Sequence, residues 1–329
     1  MNKRLDLVTK KVLKGKRITP GEAVYLSSDK ADVWDLVHGA NAIRRNFMGN
    51  KVHLCSIINA KSGNCAEDCK FCAQSIRHKS SIKKYPLVKG DEIKKAYLNS
   101  KSIGADGFSI VTSGNQLSNN EISFLADTVK TLRGIKGKNP YVCASVGYLG
   151  PESLVQLKKS GLSKCHHNLE TSRRHFGQIC STHSYDERIE TVLSIKKAGL
   201  SICSGGIFGI GETWPDRIDL AFTLKELDVD SVPLNFLIPI KGTTLDKAEL
   251  LSPREALKII ALFRYILPDK DIRICAGREK VLRGLQSMIF NAGATGMMIG
   301  GYLTQQGRSV EEDLQMLRDL GMTWSAHRG

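Results

Sequence analysis

The sequence predicts a fold of the α/β class, a (βα)8 TIM-type barrel with an N-terminal helical extension. Short runs rich in β-branched residues alternate with amphipathic helical stretches, a pattern typical of parallel sheets. There are eight such runs, as this barrel requires, and 329 residues is an ordinary length for it. No linker rich in Pro, Gly or Ser divides the chain, so we expect a single domain over residues 1–329.

The elements follow in a regular order. Helical sequence covers roughly residues 5–50 and forms most of the extension, which we assign to 1–50. The β-branched runs predict strands at 52–58, 107–112, 140–146, 164–170, 200–205, 231–238, 271–275 and 295–299. Helical periodicity predicts helices at 91–103, 119–134, 151–160, 184–198, 213–227 and 253–266. Pro151 and the pair Ser252-Pro253 are typical of helix starts and support two of these helices. Residues 300–329 are expected to form a C-terminal extension.

The composition limits the possible classes of protein. Hydrophobic residues make up 41% and charged residues 25% of the chain, as in globular proteins. No apolar stretch approaches the roughly 18 residues that span a bilayer. The basic start Met1-Asn2-Lys3-Arg4 lacks the apolar core of a secretory signal. Nine cysteines without a targeting segment therefore indicate a reducing, cytoplasmic location, and metal or redox chemistry rather than disulfides.

The net charge of +15 raises the question of nucleic acid. The basic residues are scattered, however, in small groups such as Lys10-Lys11 and Lys83-Lys84, without an aromatic-interleaved stripe. A solvated basic surface explains them better, and we expect neither nucleic acid nor a membrane as a partner. A positive field would also favour anionic substrates and acidic electron-transfer partners.

Three cysteines form the most informative motif. Cys65, Cys69 and Cys72 have the spacing C-x3-C-x2-C, with no fourth cysteine close by. Thiolates favour iron–sulfur clusters and zinc, but a structural zinc site needs four ligands. Three ligands on a cubane leave one iron open, and an open iron can hold a substrate. The alternatives are a loop of chance cysteines and an incomplete zinc site.

Four sequence blocks together carry a family resemblance. They are CAEDCKFCAQS at 65–75, HNLETS at 167–172, CSGGIFGIGE at 203–212 and AGRE at 276–279. The cysteine triplet alone resembles the radical S-adenosylmethionine (SAM) superfamily. The other three blocks narrow the resemblance to the biotin synthase family, which it matches from about residue 20 to the C-terminus.

The resemblance implies a reaction and its cofactors. An electron enters a [4Fe–4S] cluster on Cys65, Cys69 and Cys72 and cleaves SAM to methionine and a 5′-deoxyadenosyl radical. The radical abstracts hydrogen from an unactivated carbon of dethiobiotin, and the carbon radical takes sulfide from a second, sacrificial iron–sulfur cluster. Repetition at a second carbon closes the thiophane ring. A homodimer and a flavodoxin or ferredoxin electron donor are also implied.

The same resemblance assigns residues to the two small molecules. The positions that match SAM contacts are Phe71, Asn168, Glu170, Arg188, Gly205, Gly206 and Gly209. Asn235 matches an asparagine that binds the ureido ring of dethiobiotin, since an amide both donates and accepts hydrogen bonds. Lys61 and Thr304 match positions near the carboxylate tail of the substrate. His166 departs from the pattern, because it stands where the family has a substrate-contacting asparagine.

The second cluster shows another departure. The family pattern uses three cysteines and one arginine; two of those cysteines match Cys143 and Cys203, and the arginine matches Arg273, which we count with the triplet as catalytic. The third cysteine position falls on Ser109, and serine is a poor substitute for a thiolate on iron. The usual ligand set is therefore incomplete.

Strand parity offers a different ligand set. Residues i and i+2 share a face of a strand, so Cys275 points inward if Arg273 does. Cys55 lies in the first strand, and alternate strands of such a barrel supply side chains to a common layer. We therefore predict an auxiliary cluster on Cys55, Cys143, Cys203 and Cys275, of the four-iron type rather than the two-iron type, with Arg273 adjacent. In the alternative, Cys55 and Cys275 are small buried hydrophobic residues.

Two cysteines lie outside both predicted clusters, and two other functions are compatible with parts of the pattern. Parity turns Cys165 toward the helices, and Cys180 receives no role. A related radical SAM enzyme of cofactor maturation, acting on another small substrate, is the alternative function. A metal-stabilised nucleic-acid-binding protein would use the charge and the thiolates without catalysis, and the triplet's position just after a strand argues against it.

Overall fold

The computed structural model describes residues 2–137, 139–304 and 307–325. In this part of the chain the strands are β1 (His53–Lys61), β2 (Gly107–Thr112), β3 (Tyr141–Ser145), β4 (Lys164–His166), β5 (Ser201–Cys203), β6 (Gly206–Phe208), β7 (Ser231–Phe236), β8 (Asp271–Ile274) and β9 (Gly296–Met298). All pairings between these strands are parallel, in the order β5-β4-β3-β2-β1-β9-β8-β7-β6, and β5 also pairs with β7. Because β5 and β6 occupy one position in the ring, the sheet closes as an eight-stranded barrel, and the predicted fold class is confirmed.

Helices surround this barrel. They are α1 (Lys3–Leu13), α2 (Pro20–Ser27), α3 (Val33–Met48), α4 (Gly90–Ser102), α5 (Asn119–Arg133), α6 (Pro151–Lys159), α7 (Arg173–Ile179), α8 (Tyr185–Lys197), α9 (Trp214–Glu226), α10 (Pro253–Ile266), α11 (Arg278–Leu282), α12 (Met288–Asn291) and α13 (Val310–Asp319), with a 3-10 turn at Arg283–Leu285. The six helices predicted between strands are all present. Parts of the predicted terminal extensions, namely Met1, residues 305–306 and 326–329, lie outside the described residues.

One barrel strand is broken in the middle. The sequence predicts a single strand at 200–205, whereas the structure has β5 and β6 with Ser204 and Gly205 between them. A Cβ atom on Gly205 would lie 1.9 Å from the carbonyl oxygen of Pro233 in β7. Glycine is therefore required where the interrupted strand crosses its neighbour.

The fourth strand is shorter than the predicted span 164–170. It ends at His166, because the backbone N–H groups of Leu169 and Glu170 both donate to the carbonyl oxygen of Gly205, at 3.0 and 3.2 Å. Glu170 has a φ of +68°, which a residue with a side chain adopts rarely. The chain after β4 thus folds over the break in its neighbour.

The predicted helical segment at 5–50 consists of three helices: α3 packs on α10, α1 packs on α3, and α2 contacts both α9 and α10. Thr19 and Asp32 cap α2 and α3, as polar side chains do at helix starts. In the packed layer, Thr9 and Tyr265 form a hydrogen bond of 2.6 Å, and a Cβ atom on Gly39 would collide with the Tyr265 hydroxyl. In the described part of the chain, no helix is both long and apolar enough to cross a membrane.

Candidate active site

A cavity of about 390 Å³ lies inside the barrel, and all nine strands contribute to its wall. Side chains two residues apart line it on several strands, including Cys143 with Ser145 in β3 and Arg273 with Cys275 at the end of β8. This spacing is the period of an extended strand, so the parity used in the sequence analysis holds here. The cavity shares Tyr302 and Thr304 with a wider entrance hollow of about 700 Å³.

The cysteine triplet lies on a compact loop that follows β1. The backbone N–H of Cys65 donates to Gln74 at 3.1 Å, and its carbonyl oxygen accepts from Ile76 at 2.8 Å. The N–H of Cys72 donates to the carbonyl oxygen of Cys69 at 2.9 Å. Cys72 lines the barrel cavity, and burial raises its pKa to about 11. A thiol that keeps its proton near neutrality loses it readily to a coordinating metal.

The spacing of the triplet suits a cluster better than a single ion. Four sulfurs around one zinc ion, each about 2.3 Å from it, would lie about 3.8 Å apart. In the described residues, the one group of three or more potential ligands within 4.8 Å of one another is Cys69, Cys180 and His183. The triplet is therefore spread more widely than one ion requires, as expected when each thiolate binds a different iron.

The residues assigned to SAM form one network at the cavity wall. Asn168 and Glu170 line the cavity, and the Asn168 amide donates to Glu170 at 3.2 Å. Arg188 donates to the carbonyl oxygen of Asn168 at 2.8 Å and lies 3.8 Å from Glu170. Burial raises the pKa of the Glu170 carboxyl, while Arg188 acts in the opposite direction. Phe71 lines the cavity too. Arg188 is not among the described residues that line it, so Arg188 holds Asn168 and Glu170 from behind the cavity wall.

The glycines of this region have a structural reason of their own. A Cβ atom on Gly206 would lie 2.4 Å from the Glu170 carbonyl oxygen, and Gly205 is constrained by β7. Gly209 has a φ of +89°, and its N–H donates to the Glu212 carboxylate at 3.0 Å. Close packing of backbone explains the glycine-rich block without a ligand, and leaves its contact with SAM a prediction.

The residues assigned to the substrate separate into two groups. Asn235, His166 and Thr304 line the cavity. The Asn235 amide donates to Gly206 and accepts from Ala276, both at 3.2 Å, which fixes its orientation.

His166 belongs to the group that lines the cavity, and Lys61 forms the second group, outside it. Burial lowers the pKa of His166 to about 4, so its imidazole is neutral and can both donate and accept. Lys61 is absent from the described residues that line the cavity, and its amine is paired with Glu121 at 2.7 Å.

The four predicted auxiliary cysteines converge on the same cavity. Cys55 in β1, Cys143 in β3, Cys203 in β5 and Cys275 after β8 all line it. Burial raises the pKa of Cys55, Cys143 and Cys275. Ser109 lines the cavity too, in register with Cys143 on the neighbouring strand.

Arg273 lies between an acid and a thiol. Its Nε donates to Asp271 at 2.7 Å, and its Nη1 donates to Cys55 Sγ. Asp271 is held in turn by Thr295 at 2.7 Å and by His53 at 3.1 Å. The guanidinium is therefore fixed next to the four cysteines, as the sequence analysis expects of an adjacent residue.

Two residues, one in the cavity wall and one against the cysteine loop, have no role in the predictions from sequence. Lys164 lines the cavity, and its amine donates to Ser231 at 3.0 Å. It lies two residues before His166, so strand parity could have identified it. Cys180, which received no role, lies with its Sγ 3.8 Å from that of Cys69. No sequence signal connects these two residues, which are 111 positions apart.

The barrel and its cysteine loop define a radical SAM enzyme. The family model of the radical SAM superfamily matches residues 60–224, and that of the Biotin and Thiamin Synthesis associated domain matches residues 233–323. Solved structures agree on the fold: methylornithine synthase has a TM-score of 0.81 at 21% identity, covering 96% of each chain. A maturase of the [FeFe]-hydrogenase has a TM-score of 0.83 at 17% identity, covering 98% of this chain and 76% of the maturase.

Full-length relatives identify the family more narrowly. The chain is 47% identical over 325 residues to the biotin synthase of Geotalea uraniireducens (strain Rf4), covering 98% of each chain. It is 48% identical over 322 residues to that of Geobacter metallireducens, covering 97% of each. The chain belongs to the biotin synthase family.

Proposed function

We propose that this chain makes biotin from dethiobiotin by radical SAM sulfur insertion. The observation that carries the proposal is that one cavity is lined both by Cys72 of the triplet and by the four barrel cysteines. The triplet follows the end of β1 at Lys61, whereas Cys55 lies six residues earlier, about 20 Å along the strand. A radical source at the mouth and a sulfur source in the interior leave the substrate between them.

The residues between these two ends would hold the substrate. When bound, the [4Fe–4S] cluster supplies the electron that cleaves SAM, and the auxiliary cluster supplies the sulfur. Asn235 and neutral His166 offer donors and acceptors for the ureido ring. The entrance hollow includes Lys79, Lys83 and Lys241, which suit a carboxylate tail better than the paired Lys61 does. Apolar side chains of the wall, such as Ile57, Val111 and Leu237, would limit water at the reacting carbons.

We further propose that the four barrel cysteines hold a four-iron auxiliary cluster. Each cysteine comes from a different strand position, which suits one thiolate on each iron of a cubane. Such a thiolate cluster carries net negative charge, and buried charge requires compensation. Lys164 supplies a positive charge at the same wall, and Arg273, although paired with Asp271, also donates a hydrogen bond to Cys55 Sγ; both features support an anionic occupant. Ser109 in the usual ligand position disfavours the three-cysteine, one-arginine pattern.

The test of the reaction is an anaerobic turnover of cluster-loaded protein with SAM, a low-potential reductant and dethiobiotin, read by mass spectrometry. We expect biotin together with 5′-deoxyadenosine. Cys72→Ser should abolish both products, whereas Cys165→Ser should retain them, since Cys165 is buried among apolar residues away from the cavity wall. Deoxyadenosine without biotin from loaded protein would overturn the substrate assignment and favour the alternative, a radical SAM enzyme acting on another small molecule.

The auxiliary cluster is tested separately in a chain that lacks the triplet. With Cys65, Cys69 and Cys72 replaced by alanine, the remaining iron and its absorption and Mössbauer spectra report on the barrel site. Cys275→Ser in this background should lower the iron content and alter the spectrum. Ser109→Ala, on the same cavity wall, is the matched control and should leave both unchanged. Full retention of iron and spectrum in Cys275→Ser would contradict the four-cysteine proposal.

The proposal extends to the protein's surroundings. An acidic flavodoxin or ferredoxin suits a chain with a net charge of +15, because opposite charges speed association. A reducing cytoplasm suits nine free cysteines. A single domain, a homodimer, and the absence of nucleic acid and membrane from its partners remain part of the proposal, and the oligomer is checked by light scattering.

A further inference from the structure

Cys180 lies against one of the cysteines of the triplet. Its Sγ is 3.8 Å from that of Cys69, and both residues are more than nine-tenths buried. A disulfide requires the sulfurs to approach to about 2.05 Å, so a small change in side-chain torsion would bring them to bonding distance. Cys180 follows α7 directly and is not part of the barrel cavity wall as described.

The two backbone segments are held side by side. The N–H of Lys70 donates to the carbonyl oxygen of Ile179 at 2.9 Å. The Asp68 carboxylate accepts from the backbone N–H groups of Ser181 and Thr182, at 2.9 and 3.2 Å. Residues adjacent to both cysteines are thus bonded to each other, and the thiol contact does not depend on a freely moving loop.

The neighbouring histidine argues against a single-ion site here. Cys69, Cys180 and His183 lie close enough to hold an ion. However, His183 Nε2 accepts hydrogen bonds from Arg188 at 2.8 and 3.1 Å, because a guanidinium only donates. His183 Nδ1 therefore carries the proton and faces Glu67 at 2.5 Å. Both ring nitrogens are engaged, which leaves the pair of thiols as the reactive feature.

Cys180, although only 5% exposed, has a connection to the surface. It lines a surface hollow of about 470 Å³, together with Thr182 and His183. We propose that Cys69 and Cys180 form a reversible disulfide when the triplet carries no iron, with a low-molecular-weight disulfide such as oxidised glutathione as the oxidant. Cys180 lines this hollow and Cys69 is not among its described lining residues, so the oxidant would react with Cys180 first and Cys69 would be the second thiol.

The reaction proceeds by two exchanges. The Cys180 thiol loses its proton, and the resulting thiolate attacks oxidised glutathione. A mixed disulfide forms as the S–S bond of the oxidant breaks, and one glutathione leaves and takes up a proton. The Cys69 thiolate then attacks the Cys180 sulfur, the mixed disulfide breaks, and the second glutathione leaves. The protein dithiol loses two electrons and two protons, and one oxidised glutathione gains them.

The disulfide would remove one cluster ligand from use. Iron on Cys69 occupies the attacking sulfur, so the loaded enzyme would be protected, and the cluster-free chain would load iron only after a thiol reductant had opened the bond. This consequence rests on the proposed function, whereas formation of the disulfide does not. A failure of the disulfide would leave turnover of dethiobiotin unaffected, and the two proposals are therefore separable.

The test uses the cluster-free full chain treated anaerobically with oxidised glutathione, then alkylated and digested with trypsin. Cleavage after lysine and arginine gives peptides 62–70, with Cys65 and Cys69, and 175–188, with Cys180. We expect these two peptides cross-linked, and released by dithiothreitol. Cys65→Ser leaves Cys69 as the one cysteine of its peptide and should give the same cross-link, whereas Cys180→Ser should give none.

Iron uptake gives a second measurement. Without reductant, the oxidised wild-type chain should bind less iron and sulfide than the reduced chain, and the oxidised Cys180→Ser chain should bind as much as its reduced form. The proposal is overturned if oxidation joins cysteines within the triplet, if Cys180 remains open to alkylation, or if it stops at the mixed disulfide with glutathione.

Discussion

Asp313 of α13 and Arg278 of α11 form a buried ion pair that joins the C-terminal helix to the barrel. The carboxylate and the guanidinium lie 2.7 Å apart, and both side chains are essentially without solvent contact. The perturbation is Asp313→Asn, which keeps the shape and an acceptor oxygen but removes the charge. Arg278 then keeps a hydrogen bond to Gln286 at 2.8 Å and Glu279 at 3.4 Å.

The expected loss follows from the burial. Leaving a buried charge without its partner costs about 3 to 5 kcal/mol. Because Arg278 keeps its contact with Glu279, we expect a destabilisation at the lower end of this range, about 3 kcal/mol. Burial raises the pKa of Asp313 even though Arg278 opposes this, so the pair is costly to bury as well as costly to break. We therefore expect the apolar double variant Arg278→Met/Asp313→Leu to be more stable than Asp313→Asn.

Hydrogen exchange of α13 measures this loss locally. At about 1.4 kcal/mol for each factor of ten, a loss of about 3 kcal/mol speeds exchange of the helix amides roughly 150-fold. Asp319→Asn, the same substitution at an exposed position of α13, should change exchange less than about threefold. Exchange of the Asp313→Asn helix within threefold of wild type, or a double variant that exchanges faster than the single one, would refute the reasoning.

Three further predictions concern the site. Gly205→Ala should sharply reduce the yield of folded protein or its thermal midpoint, because its Cβ would meet the Pro233 carbonyl oxygen at 1.9 Å; Gly284→Ala, with no atom within 4 Å, is the control. Arg188→Lys removes charged hydrogen bonds of about 1.5 to 3 kcal/mol that hold the Asn168–Glu170 segment and His183, so the dissociation constant of SAM should rise about 10- to 150-fold in equilibrium dialysis, and an unchanged value would contradict the network. The pKa of His166 is lowered to about 4 by burial, so the unfolded chain binds the extra proton between about pH 6.5 and 4. Stability should fall with decreasing pH in that window by up to about 1.4 kcal/mol per pH unit more in wild type than in His166→Asn, and parallel urea-unfolding curves across it would disprove the assignment.

Much of the cavity was predictable because strand parity is a local property. Arg273 and Cys275 both line the cavity, and Cys165 is buried away from it, as the alternation of side chains along a strand requires. The convergence of Cys55 and Cys143 follows from the same alternation once the barrel is assumed. The roles of these cysteines as ligands stay predictions, because facing a common cavity is not the same as binding iron.

Contacts between segments that are far apart in the sequence were not predictable in this way. The family resemblance predicts that Lys61 lies near the substrate, but its ion pair with Glu121 depends on where α5 begins relative to β1. The break of the fifth barrel strand depends on the approach of Pro233 from β7. The contact of Cys180 with Cys69 depends on how the segment after α7 packs on the cysteine loop.

The sequence by itself determined the barrel, the cysteine triplet, and which strand residues face inward. These depend on the period of hydrophobic residues and on the order of residues along single strands, and both are written locally in the chain. Only the tertiary structure decided which side chains from distant segments meet: Arg188 with Glu170, Arg273 with Cys55, and Cys69 with Cys180. The physical reason is that such contacts depend on how separate segments pack, and no local pattern encodes a distance between them.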